Sequence, residues 1–252
     1  MAVYLGNDKI MDIRCPSWDF QKAFFNAGGH CGHSTNTTSF VGAIAYDSTS
    51  DMTDMSYFFE QCTKLKEIPS FNTSKVTNMI SMFSNCSNLT TIPQLDTSNV
   101  TNMGSMFSNC TSLASIPQLD TSKVTNMVYM FSSCSSLTTI PQLDTSKVTN
   151  MGSMFYNCTS LASIPQLDTS KVTNMVYMFE RCTSLTSIKM KNMSTSFDIH
   201  WSTKMEREAL VEVLNNLATV TSTKTLTLGS TLLAKLTDTD KAIATNKGWT
   251  LA

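Results

Sequence analysis

Apolar residues return along this 252-residue chain with a period of 24. Cut from Ser48, six blocks follow one another: 48–71, 72–95, 96–119, 120–143, 144–167 and 168–191. Their shared pattern is D-T-S-K-V-T-N-M-x-x-M-F-x-x-C-x-x-L-x-x-I-P-x-L. The apolar columns are Val76 and its equivalents, then Met79, Met82, Phe83, Cys86, Leu89 and Ile92 with theirs. One block cannot bury such a face alone, whereas stacked blocks bury it as one continuous core. The reading is therefore a repeat solenoid of short parallel strands and short helical turns. Six coils at a strand spacing of roughly 4.8 Å give a rod of roughly 29 Å.

Within a block, Leu-x-x-Ile-Pro-x-Leu predicts a short extended segment that ends near the proline, which has no N–H for a ladder. Asp96-Thr97-Ser98 is turn chemistry, a short polar side chain bonding nearby backbone N–H groups. Val-Thr-Asn-Met predicts a second extended piece, and Met-Phe-x-x-Cys a single helical or 3₁₀ turn. Asn102 and its equivalents predict a buried amide ladder bonded to backbone between coils. The first block is degraded, with Met52, Asp54 and Phe58 where the others carry Val, Asn and Met. A longer period is superposed: residues 94–117 and 142–165 agree at 22 of 24 positions, which points to duplication of a two-coil unit.

Solenoid ends need covering, and three regions result: an N-terminal cap over 1–47, the repeats over 48–191, and a C-terminal cap over 192–252. The first is read as a hairpin over 3–14 and a short helix over Asp19–Asn26. In the last, Thr203-Lys-Met-Glu206 has the form of a capping box. Met205, Ala209, Leu210, Val213, Leu214 and Leu217 then make one helical face. A strand over 225–228, a helix over 237–246 ended by Gly248, and a strand over 249–251 complete it.

Composition narrows the function. Only 15% of residues are charged and the net charge is −1, so there is no basic field for nucleic acid. No apolar run approaches 18 residues, so no membrane insertion is expected. The N-terminus lacks a basic segment followed by an apolar core, so the chain is expected to be cytoplasmic as synthesised. Display on a cell surface or phage particle then needs another route. Most of the 17 Met fall in the two Met columns, and six of the 8 Cys form one column, a full repeat apart.

The combination of C-x-x-L-x-x-I-P with V-T-N-M-x-x-M-F resembles the BspA-type leucine-rich repeats of bacterial surface proteins. It is most similar to the branch with Met-Phe-x-x-Cys and Asp-Thr-Ser-Lys-Val-Thr-Asn-Met signatures, common in gut Firmicutes and mycoplasmas. The resemblance covers 48–191 and implies a leucine-rich-repeat-like solenoid used for adhesion or recognition. The ending Thr-Leu-Thr-Leu-Gly…Lys-Gly-Trp-Thr-Leu is also similar to tails in proteins of gut bacteria and their phages.

Candidate chemistry is sparse. The Cys column reads first as buried free thiols, with a disulfide ladder or metal as alternatives. His30-Cys31-Gly32-His33, with Cys15, is the one cluster resembling metal or nucleophile chemistry, against a plain loop reading. The column Asp96, Asp120, Asp144 and Asp168 reads as turn capping, with a calcium ladder as the alternative. No cofactor is expected. Binding residues belong where blocks differ: Tyr57, Tyr129, Tyr156 and Tyr177, with Glu180 and Arg181, since Tyr gives contact area at low entropic cost. The leading reading is a non-enzymatic recognition or adhesion protein for protein or glycan ligands. The alternative is a structural spacer or host-recognition component of a phage or cell-surface assembly.

Overall fold

The structure, a computed structural model, describes residues 52–252 apart from Lys64 and Pro69. The expected hairpin over 3–14, the helix over Asp19–Asn26 and the set Cys15, His30, Cys31 and His33 lie outside the described residues.

Each block forms one coil, and coils meet through a ladder of single parallel bridges. Asp54, Asn78, Asn102, Asn126, Asn150 and Asn174 pair successively, each with its equivalent in the next coil. Thr101 N–H donates back to the Thr77 carbonyl at 2.8 Å, and Met103 N–H donates onward to the Asn126 carbonyl at 3.1 Å. The Asn side chains are half-buried rather than buried. Asn102 Oδ1 accepts from Gly104 N–H in its own coil (3.0 Å) and from Asn126 Nδ2 in the next (3.1 Å). The amide therefore braces its own turn and touches the neighbouring amide, instead of reaching backbone across coils.

Beyond the ladder the expected helical turn does not form. Ser105 and Asn109 take left-handed φ of 56° and 60°, as do their equivalents in every coil. The hydrogen bonds explain why. Met106, Ser108 and Cys110 donate three residues back within the coil, but Met103, Ser105, Phe107 and Asn109 donate to the next coil. A helix would keep all these bonds inside one segment. Here alternate N–H groups serve the stack, and the first five coils each make the same four bonds.

The core follows the apolar columns. Phe59, Phe83, Phe107, Phe131, Phe155 and Phe179 are fully buried in one file. Their ring centroids lie 5.4 to 5.9 Å apart with planes within 5° to 7° of parallel, an offset stack. A Thr column that the pattern did not single out is also buried: Thr97 Oγ1 donates to the Asp120 carbonyl at 2.9 Å.

Of the cysteine column, Cys86, Cys110, Cys134, Cys158 and Cys182 are buried thiols outside any disulfide. Cys134 Sγ donates to the Phe107 carbonyl at 3.0 Å, and Cys86, Cys110, Cys158 and Cys182 repeat the contact. Burial pushes the Cys134 and Cys182 thiols up to about 12. The thiolate is the reactive species, so a variant lacking Cys15 and Cys31 should show no reaction with a small aromatic disulfide reagent at pH 8 while folded. All six column thiols should react after unfolding in guanidinium; rapid reaction in the folded state would contradict this packing.

Among the described residues the Ile-Pro segment forms a regular ladder in one place. Strand β1 (Ser163–Asp168) pairs in parallel with β2 (Ser187–Lys191). The proline recurs through the earlier coils, so successive segments lack an N–H at the same position. In β2 that position is Lys189, which restores the donor, and the register slips between Ile164 and Leu167 to pass Pro165.

After residue 192 the chain becomes α/β. A parallel sheet runs β3 (Phe197–Asp198), β4 (Lys224–Thr227), β5 (Trp249–Leu251). Helices α1 (Arg207–Asn215), α2 (Gly229–Leu233) and α3 (Asp238–Thr245) connect the strands. Leu210, Val213 and Leu214 of α1 face the core. The expected Thr203–Glu206 capping box is absent, because Glu206 itself is the N-cap and makes no side-chain cap bond. Lys235 holds Glu206 Oε1 at 3.1 Å and the Met205 carbonyl at 2.8 Å instead. The box forms on α3, where Thr237 and Asp240 bond reciprocally. Arg207 grips buried Asp240 through Nε (2.8 Å) and Nη2 (2.7 Å), tying α1 to α3. That guanidinium, with Thr237, holds the Asp240 carboxyl down at about 2.

Candidate recognition site

The two positions after the first Met of each coil form the outer arc. The first of them runs Ser56, Ile80, Gly104, Val128, Gly152, Val176, small and large in alternation. Packing limits the choice: a Cβ on Gly152 would lie 2.9 Å from Asn174 Nδ2, and one on Gly104 would lie 3.2 Å from Asn126 Nδ2. The second runs Tyr57, Ser81, Ser105, Tyr129, Ser153, Tyr177, all at positive φ between 53° and 60°. A bulky residue rarely adopts this conformation. In the first five coils an inter-coil bond holds it there, as Tyr129 N–H does by donating to the Gly152 carbonyl at 3.0 Å, and the Tyr side chains of the column are exposed while Ser81 and Ser153 are buried.

The sequence-derived candidates are only partly gathered. Tyr57, Tyr129 and Tyr177 share one column, but three coils separate the first two and two coils the others. Tyr156 is half-buried, and Arg181 of the next coil lies over its ring at 6.0 Å, a cation–π pair. Glu180 is half-buried, and its carbonyl accepts Asn157 N–H at 2.7 Å. The Asp column does turn chemistry. Asp96 Oδ1 accepts from Ser98 Oγ (2.7 Å) and Ser98 N–H (3.0 Å), and these bonds lower its carboxyl below the usual range. At Asp168 partial burial acts upward, but Ser170, Asn192 and Lys191 together bring it to about 2. Among the described residues no three His, Cys, Asp or Glu side chains come together as a metal site.

One further repeat beyond coil six lies what the 191 boundary hid. Asn174, Val176 and Tyr177 become Asp198, His200 and Trp201. The local turn is kept: His200 N–H donates to Asp198 Oδ1 at 2.8 Å, as Val176 N–H does to Asn174 Oδ1 at 3.0 Å. His200 Nδ1 also lies 2.6 Å from Asp198 Oδ1, and its ring meets Trp201 at 5.0 Å. Gly229, at φ 67°, backs His200 so closely that a Cβ there would lie 3.2 Å from the His200 Cβ.

The ladder breaks at this junction. Asn150 bridges Asn174, but Asn174 does not bridge Asp198; the next parallel pairs join Met193 to Leu217 and Phe197–Asp198 to Leu226–Thr227. Met175, Tyr177, Phe179 and Arg181 occupy the positions whose N–H groups donate onward in the five earlier coils. Here, among the described residues, those four have no acceptor. The cause lies in the sequence. The Phe file ends at Phe179, and Thr203 follows at the next step. Ser202 replaces the second Met and turns inward, fully buried, to donate to the Cys182 carbonyl at 3.3 Å.

Exposure rises toward the break. Tyr57 is 37% exposed, Tyr129 47%, Val176 55%, Tyr177 60% and Trp201 39%. These are the exposed large hydrophobic side chains of the described residues, and all five sit on the one arc.

Comparison with known proteins gives a family and two structural likenesses. The family model described as "Mycoplasma protein of unknown function, DUF285" matches residues 32–141, 88–193 and 136–210, together more than half the chain. A leucine-rich repeat protein of T. pallidum (TpLRR) superposes with a TM-score of 0.40 at 17% identity, over 80% of this chain and 79% of its own. A leucine-rich repeat protein from Bacteroides ovatus ATCC 8483 gives 0.29 at 15% identity, over 86% and 82%. No curated protein matches.

Proposed function

The chain belongs to the DUF285 family, and from that premise we propose that it is a non-enzymatic recognition protein. In this reading a leucine-rich-repeat-like solenoid over 48–191, closed by caps over 1–47 and 192–252, presents a binding arc to a protein or glycan ligand. One observation carries it: the exposed large apolar side chains of the described residues are confined to a single arc. Drift of a solvated surface would scatter them, whereas a grouped patch marks an interaction site. Tyr129 and Tyr177 are the central contacts, joined by Trp201. Among the described residues no helix is long and apolar enough to cross a membrane.

The test uses multimerised full-length protein screened against bacterial envelope glycans and host matrix proteins. Tyr129→Ser/Tyr177→Ser is the control, because Ser occupies the same position at a similar φ in Ser81, Ser105 and Ser153. The expected result is capture of a glycan or protein, reduced at least about tenfold in the double variant, the scale of losing one or two aromatic anchors. A blank screen, or equal capture by both proteins, would sink the recognition reading.

A further inference from the structure

We infer that the arc binds a neutral β-1,4-linked glycan laid along the solenoid axis, one sugar to each coil, with sugar rings on Tyr129 and Tyr177 and the row ending at Trp201. The inference rests on the recognition reading and names its ligand class. All three aromatic side chains are exposed. An aromatic face offers apolar area and a negative quadrupole to the C–H face of a pyranose, whose hydroxyls lie at its edge. Pitch is what selects among glycans and against other polymers.

The arc has a fixed step. Its coils are joined by single parallel bridges, a strand spacing of about 4.8 Å. The Phe file repeats at 5.4 to 5.9 Å, with successive planes within 5° to 7° of parallel, so the stack runs nearly straight. A β-1,4-linked chain enters and leaves each glucose-type ring through equatorial bonds. It is therefore a flat, extended ribbon, and one sugar advances it by close to one coil step. Successive sugars are turned over, so the same face returns at every second one. Tyr129 and Tyr177 stand two coils apart in one column, the separation of alternate sugars. The coil between them contributes Gly152 and Ser153, both buried, so neither rises between the two rings. Trp201, one coil further on, extends the row to a fourth sugar.

Other polymers miss this register. An extended peptide presents side chains of one face about 6.7 Å apart, so it falls out of step between Tyr129 and Tyr177. An α-1,4-linked glucan leaves each ring through an axial bond and curls, so it cannot follow a straight row. Charge selects as well. From coil two to coil six the two arc columns hold no charged side chain, which matches a neutral chain. A nucleic acid needs several cations along its backbone, and this row does not supply them. Arg181 of coil six is engaged over Tyr156.

The test is calorimetric titration of the full chain at pH 7 with cello- and chito-oligosaccharides of two, four and six sugars. Maltohexaose serves as the curled glycan and an oligo-dT hexamer as the nucleic acid. Two single variants, Tyr129→Ser and Tyr177→Ser, keep the fold because Ser holds the same position at similar φ in other coils. The expected result is saturable binding of at least one β-linked series, with no comparable binding of maltohexaose. Affinity should rise at least about tenfold from the disaccharide, which covers Tyr177 and Trp201, to the tetrasaccharide, which also reaches Tyr129. Tyr129→Ser should erase that gain with length, and Tyr177→Ser should weaken both lengths. Failure of both β-linked series, equal binding of maltohexaose, tighter binding of oligo-dT, no gain with length, or indifference to both variants overturns the site. If the β-linked glycans fail while the envelope and matrix screen captures a protein or another glycan, only this inference falls; if that screen is also blank, the recognition reading falls with it.

Discussion

Phe131→Ala lowers the stability of the array by about 3–5 kcal/mol, the range for removing a buried aromatic ring from a core that cannot fully collapse. Phe131 is fully buried and stacked on both sides, 5.7 Å from Phe107 and 5.7 Å from Phe155. Collapse is resisted because the backbone on each side is pinned: Phe131 N–H donates to the Met154 carbonyl at 2.9 Å, and Phe107 N–H to the Met130 carbonyl at 2.9 Å. The ladder sets the spacing, so the cavity stays. In a stacked array each coil contacts only its neighbours, so the loss should be local as well as large. Amide exchange should accelerate in the coils of Phe107, Phe131 and Phe155 and change least in α3. A midpoint in guanidinium within about 1 kcal/mol of wild type would contradict the packing of this file.

Gly248→Val costs about 2–4 kcal/mol, by forcing a β-branched residue into a left-handed conformation against backbone. Gly248 has φ 85°, and a Cβ there would lie 2.6 Å from the Val220 carbonyl oxygen. The obstacle is main chain, fixed by Val220 N–H donating to the Lys247 carbonyl at 2.9 Å, so it cannot turn aside like a side-chain end. The site joins α3 to β5, whose Trp249 is buried and donates through Nε1 to the Ala218 carbonyl at 2.9 Å. Limited proteolysis should cut first within 216–252 in this variant while the coils stay intact. Unchanged protease resistance and melting temperature would refute the clash.

Much of this architecture is legible because a repeat states its constraints many times. Val100, Met103, Met106, Phe107, Cys110 and Leu113 are read as core columns from spacing alone, and all are fully buried. The strand over 249–251 and the helix near 237–246 follow from β-branched residues, Thr237 and Gly248. The helical turn expected at Met-Phe-x-x-Cys fails because local pattern cannot show that alternate N–H groups serve the next coil. The capping box at Thr203 fails because Lys235, far along the chain, engages Glu206. At the candidate site, Tyr129 and Tyr177 stand out as departures from the repeat. Trp201 and His200 do not, because the repeat frame ends at 191 while their turn geometry continues it.

Sequence by itself determined the period, the buried columns and the composition of the arc, since each follows from which side chains recur once per repeat. Only the tertiary structure decided where the stack is interrupted. That depends on Ser202 bonding to the Cys182 carbonyl once the Phe file has ended, and on which N–H groups are then left without a backbone acceptor. A hydrogen bond between coils joins residues that lie a whole turn of the solenoid apart, so its presence or loss is settled by packing and not by any local run of residues.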